Sequence, residues 1–261
     1  MTAADSVYQQ LRSHLAYLKL GAAAEALPSQ LEAARADKAG HTEFLEQLLR
    51  IEVEATEQRR WEGRMRFANF PAPWRIDDFD FSAQPSVDES LIRDLATGNY
   101  LADATNVLFI GPPGVGKTML ATALGHAAVD GGHRVYYTTA ADLAARCRRA
   151  ALQGRWEPTM RFLNGPSLLI IDELGYLSMP TEDAAALFQV ISRRYLRGSV
   201  ILTTNKMVAS WGDIFSDTTI AAAMLDRLLH KSVVIHIDGD SYRLRTHQAR
   251  NEKHRPKGGD R

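Results

Sequence analysis

Residues 111–118 read GPPGVGKT, a complete G-x-x-x-x-G-K-T pattern whose residue types suit one task, holding a chain of phosphates. Glycines at 111, 114 and 116 let the backbone curl, so that consecutive N–H groups and the positive end of a following helix point at phosphate oxygens. In this reading Gly111, Pro112, Pro113, Gly114, Val115 and Gly116 wrap the phosphates and Met119 opens the helix behind them. Lys117 reaches the β- and γ-phosphates of ATP, and Thr118 holds Mg2+. The apolar run Val107–Ile110 enters the loop and the helical run from Met119 to Val129 leaves it, which is the strand, loop and helix context the motif needs. A Gly-rich turn with no ligand is the alternative, and this context weighs against it.

A second run, Ser167-Leu168-Leu169-Ile170-Ile171-Asp172-Glu173, is apolar and β-branched and ends in two carboxylates. Such a strand is buried on both faces of a parallel sheet, and its carboxyl end opens on the crevice where nucleotides bind. Asp172 is then expected to ligate Mg2+ through water, and Glu173 to polarise the water that attacks the γ-phosphate. A third run, Ser199 to Thr204, ends at Asn205, whose amide can hydrogen-bond the γ-phosphate or the attacking water.

Elements around these motifs follow from periodicity. Strand patterns at 106–110, 134–138, 167–172, 199–204 and 232–237 alternate with helical stretches, which specifies an α/β fold with a parallel five-stranded sheet between helices. Residues 1–70 have no strand character. Apolar residues recur at helical spacing from Ser6 to about Ala36, with a break expected near Pro28, and again from about Thr42 to Ala68 until Phe70-Pro71 stops the helix. The expected organisation is a small all-helical N-terminal domain over 1–70 that contacts a partner or DNA, a linker over 71–103, a nucleotide domain over 104–246 and a basic tail over 247–261. In the linker, Phe79 and Phe81 either flank the adenine or merely anchor the chain.

Net charge is zero, so contact with nucleic acid must come from local patches. The segment from Ala140 to Asn164 is the best such patch: Arg146, Arg148, Arg149, Arg155 and Arg161 stand against Asp142 and Glu157. A solvated helix face is the competing reading, as it is for the arginines around Trp61. The single cysteine, Cys147, excludes an internal disulfide and fits a reducing cytoplasm. Its flanking arginines allow an activated thiol, against a plain helix residue. No run is long enough to span a membrane and no cleavable leader is recognisable, so a cytoplasmic protein is expected.

These motifs in this order closely resemble the IstB-type transposition helper ATPases of the AAA+ superfamily, relatives of the helicase loader DnaC. Also matching are Asp172–Leu177, Leu187–Tyr195, Trp211–Phe215, Met224-Leu225-Asp226-Arg227 and Ser241–Arg245. The resemblance implies an AAA+ ATPase using ATP and Mg2+ that forms a homo-oligomer on double-stranded DNA, with ATP sites between subunits, and passes that DNA to a partner DDE transposase. It also implies that Asn205 is the sensor 1 residue, Arg227 the arginine that reaches a neighbour's γ-phosphate and Arg243 the sensor 2 arginine. Arg193 and Arg194 are left as rivals for the phosphate. Little chain follows the last strand, so the helical lid of larger AAA+ proteins is expected to be absent or vestigial. A DnaC-like helicase loader is the alternative function.

Overall fold

In the first part of the chain, Ala, Leu and Glu at helical spacing form three helices, α1 (Ala3–Tyr17), α2 (Gly21–Asp37) and α3 (His41–Ala68). The computed structural model describes residues 3–176, 179–215 and 217–242. Arg243 and the basic tail over 247–261 lie outside the described residues. What is described falls into two compact units that divide at Gly63 and Arg64. In the first unit Leu15, Ala23, Leu27 and Leu48 make a small core. The break expected at Pro28 is displaced: α1 ends at a left-handed Lys19 (φ 60°), and Pro28 sits inside α2. Burial of Ala23 and Leu27 against the neighbouring helices carries α2 past the proline, at the cost of one backbone hydrogen bond.

α2 has no acidic residue in its own first turn, and Glu52 of α3 supplies one from elsewhere in the chain. Its Oε2 accepts the Ala23 N–H at 2.9 Å, and its Oε1 accepts from Arg59 at 2.8 Å. The Ala23 amide, then Arg59, hold the Glu52 carboxyl below its ordinary value of 4.5. The folded state therefore binds its proton less readily than the unfolded chain. The contribution to stability is complete above about pH 4.5 and is lost as the pH falls through the folded value. Glu52→Ala leaves a buried N–H unpaired and is expected to cost about 1–3 kcal/mol. Amide hydrogen exchange at Ala22 and Ala23 should accelerate in that variant; unchanged exchange would show that this contact does not hold α2.

In the second unit α3 stops at a left-handed Asn69 (φ 57°), and Phe70 stacks on His126 with ring centroids 4.2 Å apart. Two short turns, Ile76–Asp78 and Phe81–Ala83, lead to α4 (Glu89–Ala96), capped by the Asp88 carboxylate, and α5 (Asn99–Ala102). Five runs, four of them rich in Val, Ile and Leu and one of Val, Tyr and Thr, then form β1 (Asn106–Ile110), β2 (Val135–Thr139), β3 (Leu168–Leu174), β4 (Ser199–Thr204) and β5 (Ser232–His236). Between them run α6 (Lys117–Asp130), α7 (Ala140–Leu152), α8 (Trp156–Asn164), α9 (Thr181–Arg194), α10 (Trp211–Phe215) and α11 (Thr218–Leu229). All strand pairs are parallel, in the order β2-β3-β4-β1-β5, as the alternation of strand and helix patterns requires.

β4 lies between β1 and β3, so three strand tips stand side by side at one edge of the sheet. Ile110 is level with Thr204, and Thr139 with Asp172. Leu108, Leu169, Ile171 and Leu202 fill the centre with α7 and α9 packed over them. Removing that much apolar surface from water is what fixes the strand tips rigidly enough to carry a site.

Candidate nucleotide site

The loop of residues 111–116 leaves β1 and turns directly into α6. Gly114 (φ 83°) and Gly116 (φ 102°) hold left-handed conformations that other residues rarely adopt. They are crowded as well: a Cβ on Gly114 would lie 2.1 Å from Ser241 Oγ, and one on Gly116 2.5 Å from the Phe79 ring. The loop is pinned at its start by the Gly111 N–H, which donates to Thr204 O at 3.2 Å, and near its middle by the Tyr242 N–H, which donates to Gly114 O at 3.0 Å. Lys117 is 4% exposed, and its ammonium donates to the carbonyls of Gly111 and Pro112, both at 2.7 Å. Beside the loop opens a cleft of about 380 Å3, walled by Trp74, Phe79, Tyr242 and Glu173, large enough for a nucleotide.

Asp172 is 1% exposed and saturated with hydroxyl donors. Its Oδ1 accepts from Thr118 at 3.1 Å and from Thr203, and its Oδ2 accepts from Tyr137 at 2.5 Å. Burial, and next the Asp172 carboxylate, push the Tyr137 hydroxyl above its ordinary range, so it stays a neutral donor. Glu173 departs from the strand: the register of β3 on β4 shifts between Ile171 and Leu174, and Glu173 is left-handed (φ 61°). For a residue with a Cβ such a conformation costs on the order of 1–3 kcal/mol and persists where its surroundings enforce it. Here the enforcing contact is the Glu173 N–H donating to Thr203 Oγ1 at 3.0 Å. One hydroxyl thus fixes both carboxylates, and the twist brings the exposed Glu173 into the wall of the cleft while Asp172 stays buried.

The hard oxygens of Thr118 and Asp172 suit Mg2+, which takes few protein ligands and completes its shell with water and phosphate. No group of three or more His, Cys, Asp or Glu side chains that could hold a metal occurs among the described residues.

Comparison with known proteins bears directly on this geometry. Residues 13–250 match the family model of the IstB-like ATP binding protein. The chain belongs to that family. It is 41% identical over 245 residues to the insertion sequence IS5376 ATP-binding protein of Geobacillus stearothermophilus, covering 94% of this chain and 98% of the relative. It is also 41% identical over 236 residues to the insertion sequence IS21 ATP-binding protein of Pseudomonas aeruginosa, covering 90% of this chain and 89% of the relative. Among solved structures the DnaC helicase loader superposes with a TM-score of 0.50 at 22% identity, covering 66% of this chain and 98% of that one. This last likeness is one of fold alone.

Within this ATP-binding family member, the remaining residues singled out from the sequence fall into three groups. Asn205 directly follows Thr204, whose carbonyl holds the loop, and its Oδ1 is buried without a hydrogen-bond partner. Of the arginines weighed for the γ-phosphate, Arg193 grips Glu157 through two bonds of 2.7 and 2.9 Å, and Arg194 is 2% exposed, its guanidinium donating to four carbonyl oxygens. Arg227 of α11 is half-buried, donates once to Ala223 O at 2.8 Å and lies 4.8 Å from the Phe188 ring centroid. In the arginine-rich segment, Arg146 donates to Tyr136 Oη at 2.8 Å and packs over Phe162, while Arg148 pairs with the buried Asp183 at 2.5 Å. Arg149 and Arg155 are exposed. Cys147 is buried, and burial pushes its thiol up to about 11 in spite of Arg146, so it is a core residue and not an activated thiol.

Sequence reasoning missed Tyr137 and Thr203. Their signal was present in the runs VYYTT and SVILTT, where hydroxyls interrupt otherwise buried strands near the carboxyl end. The described residues contain no helix long and apolar enough to cross a membrane.

Proposed function

We propose that the protein is an Mg2+-dependent ATPase that assembles on double-stranded DNA when ATP is bound and presents that DNA to a partner transposase, with hydrolysis resetting the assembly. The observation that carries this reading is the strained Glu173 held beside a buried, hydroxyl-saturated Asp172 at the mouth of a phosphate loop. A fold that maintains such strain has a use for a carboxylate at that spot. Binding alone would need only the loop.

The parts have distinct tasks. Backbone N–H groups of residues 111–116 and the Lys117 ammonium neutralise the phosphates, and Thr118 and Asp172 would hold Mg2+, which supplies charge neutralisation between the phosphates when bound. Glu173 orients the attacking water and takes up its proton, and the Asn205 amide fixes that water or the γ-phosphate. Arg227 of a second copy supplies positive charge as the γ-phosphoryl group departs. A site completed by a neighbour makes assembly depend on the γ-phosphate, because ATP then stabilises only the associated state. Exposed arginines such as Arg149 and Arg155 give affinity for the DNA backbone with little dependence on base sequence. Relatives of matching length are insertion sequence proteins by name, which supports transposition as the process and a transposase as the partner.

Steady-state turnover tests this reading. Hydrolysis should require Mg2+ and rise when duplex DNA is added; turnover indifferent to duplex would remove DNA from the account, and none under any condition would remove the ATPase.

A further inference from the structure

At the opposite edge of the sheet from the nucleotide cleft, where β3 and β4 begin, lies a second recess of about 240 Å3. Arg161 and Asn164 of α8, Arg193 and Arg194 of α9, and Arg197 and Gly198 of the following turn line it. Four guanidinium groups converge there. Arg194 forms the floor, fixed by bonds to the carbonyls of Leu163 (2.9 Å), Pro166 (3.1 Å), Ser167 (3.1 Å) and Ser199 (2.8 Å), and its Nε is buried without a partner. Even with burial lowering its basicity to about 10, it stays charged at neutral pH. Gly198 has to be small, since a Cβ there would lie 2.8 Å from the Arg194 guanidinium. Arg193 is anchored by Glu157, whose carboxyl is held below the ordinary range by Arg193 first and by the charge of Arg161 as well.

Arg161 and Arg197 differ from these two. Both are exposed, and neither forms an ion pair with a described residue. Arg194 and Arg193 have architectural work that explains them; Arg161 and Arg197 form no such bonds, and Glu157, bonded to Arg193 and felt by Arg161, offsets only one of the four positive charges, which leaves an excess that a bound anion would relieve. The recess is open and lined mainly by arginines, and the one apolar side chain in its wall, Met160, is itself buried. It offers no aromatic or aliphatic anchor of the kind that centres a protein interface. A planar guanidinium matches two oxygens of a phosphodiester.

We propose that this recess takes a backbone phosphate of duplex DNA, clasped between Arg161 and Arg197 over the fixed Arg194. The inference rests on the DNA-binding reading above and adds a defined phosphate site to the exposed Arg149 and Arg155. Because the recess lies at the amino ends of the strands and ATP at the carboxyl ends, the two ligands do not compete for space.

The test is binding of the full chain, with ATP, to a fluorescent duplex over a range of salt concentrations, comparing wild type with Arg161→Ala/Arg197→Ala. Losing one phosphate contact should lower the slope of log affinity against log salt by about 0.9, and the double variant should bind about 10–100-fold more weakly at low salt. Turnover without DNA should be unchanged. Arg161→Lys/Arg197→Lys, which keeps the charge, should recover most of the slope. Wild-type slope in the alanine double variant would overturn the recess as a DNA site while leaving the DNA reading standing. A wild-type protein that does not bind duplex at all would bring down both.

Discussion

Glu173→Gln should leave ATP bound and nearly abolish its hydrolysis, with kcat falling by about 100- to 10,000-fold, the usual worth of a positioned acid–base group. Glutamine keeps the shape of the side chain and can still hydrogen-bond a water, but it cannot accept that water's proton. The left-handed backbone at Glu173 and its N–H bond to Thr203 Oγ1 at 3.0 Å do not involve the side chain, so the cleft should keep its form. Thr203→Val makes the argument stronger. It preserves side-chain shape, removes the hydroxyl that serves both Asp172 and the Glu173 amide, and should lower kcat as well, whereas Thr203→Ser should restore it. Single-turnover hydrolysis with a parallel nucleotide-binding titration separates the outcomes. Near-normal hydrolysis in Glu173→Gln would take the role of base away from this residue.

Lys117→Ala should weaken ATP binding by at least about 100-fold, from loss of charge-assisted contacts to the β- and γ-phosphates that are each worth about 1.5–3 kcal/mol. The ammonium also closes the curve of the loop through the Gly111 and Pro112 carbonyls, so the variant loosens the loop in addition to removing a charge. If ATP drives association, the same variant should remain dispersed on DNA at ATP concentrations that assemble the wild type. ATP-dependent assembly that survives Lys117→Ala would mean that another site controls association.

The sheet was legible because its strands are written as short runs of β-branched, aromatic and other apolar residues, and all five lie within two residues of their expected bounds. The phosphate loop was legible because its geometry demands glycine where φ is positive. Contacts that bring distant strands together left fainter marks. Tyr137 precedes Asp172 by 35 positions and meets it only because β2 and β3 are neighbours in the sheet. The left-handed Glu173 could not be read at all, since nothing in a Glu side chain signals positive φ. Pro28 misled because a lone proline breaks helices in general, yet here packing outweighed one lost hydrogen bond. Arginine-rich runs show charge but not commitment: Arg146 and Arg194 turn inward and the exposed Arg148 is tied to the buried Asp183, and only the fold distinguishes them from Arg149, Arg155, Arg161 and Arg197.

The most direct test of the central claim is mass photometry of the wild-type protein on a duplex of about 50–60 base pairs, long enough to be gripped by several modules, with ATP, ADP and no nucleotide in parallel. The account predicts large protein–DNA complexes with ATP and small species in the other two conditions. Particles of the same size in all three would contradict it, because association would then not depend on the γ-phosphate.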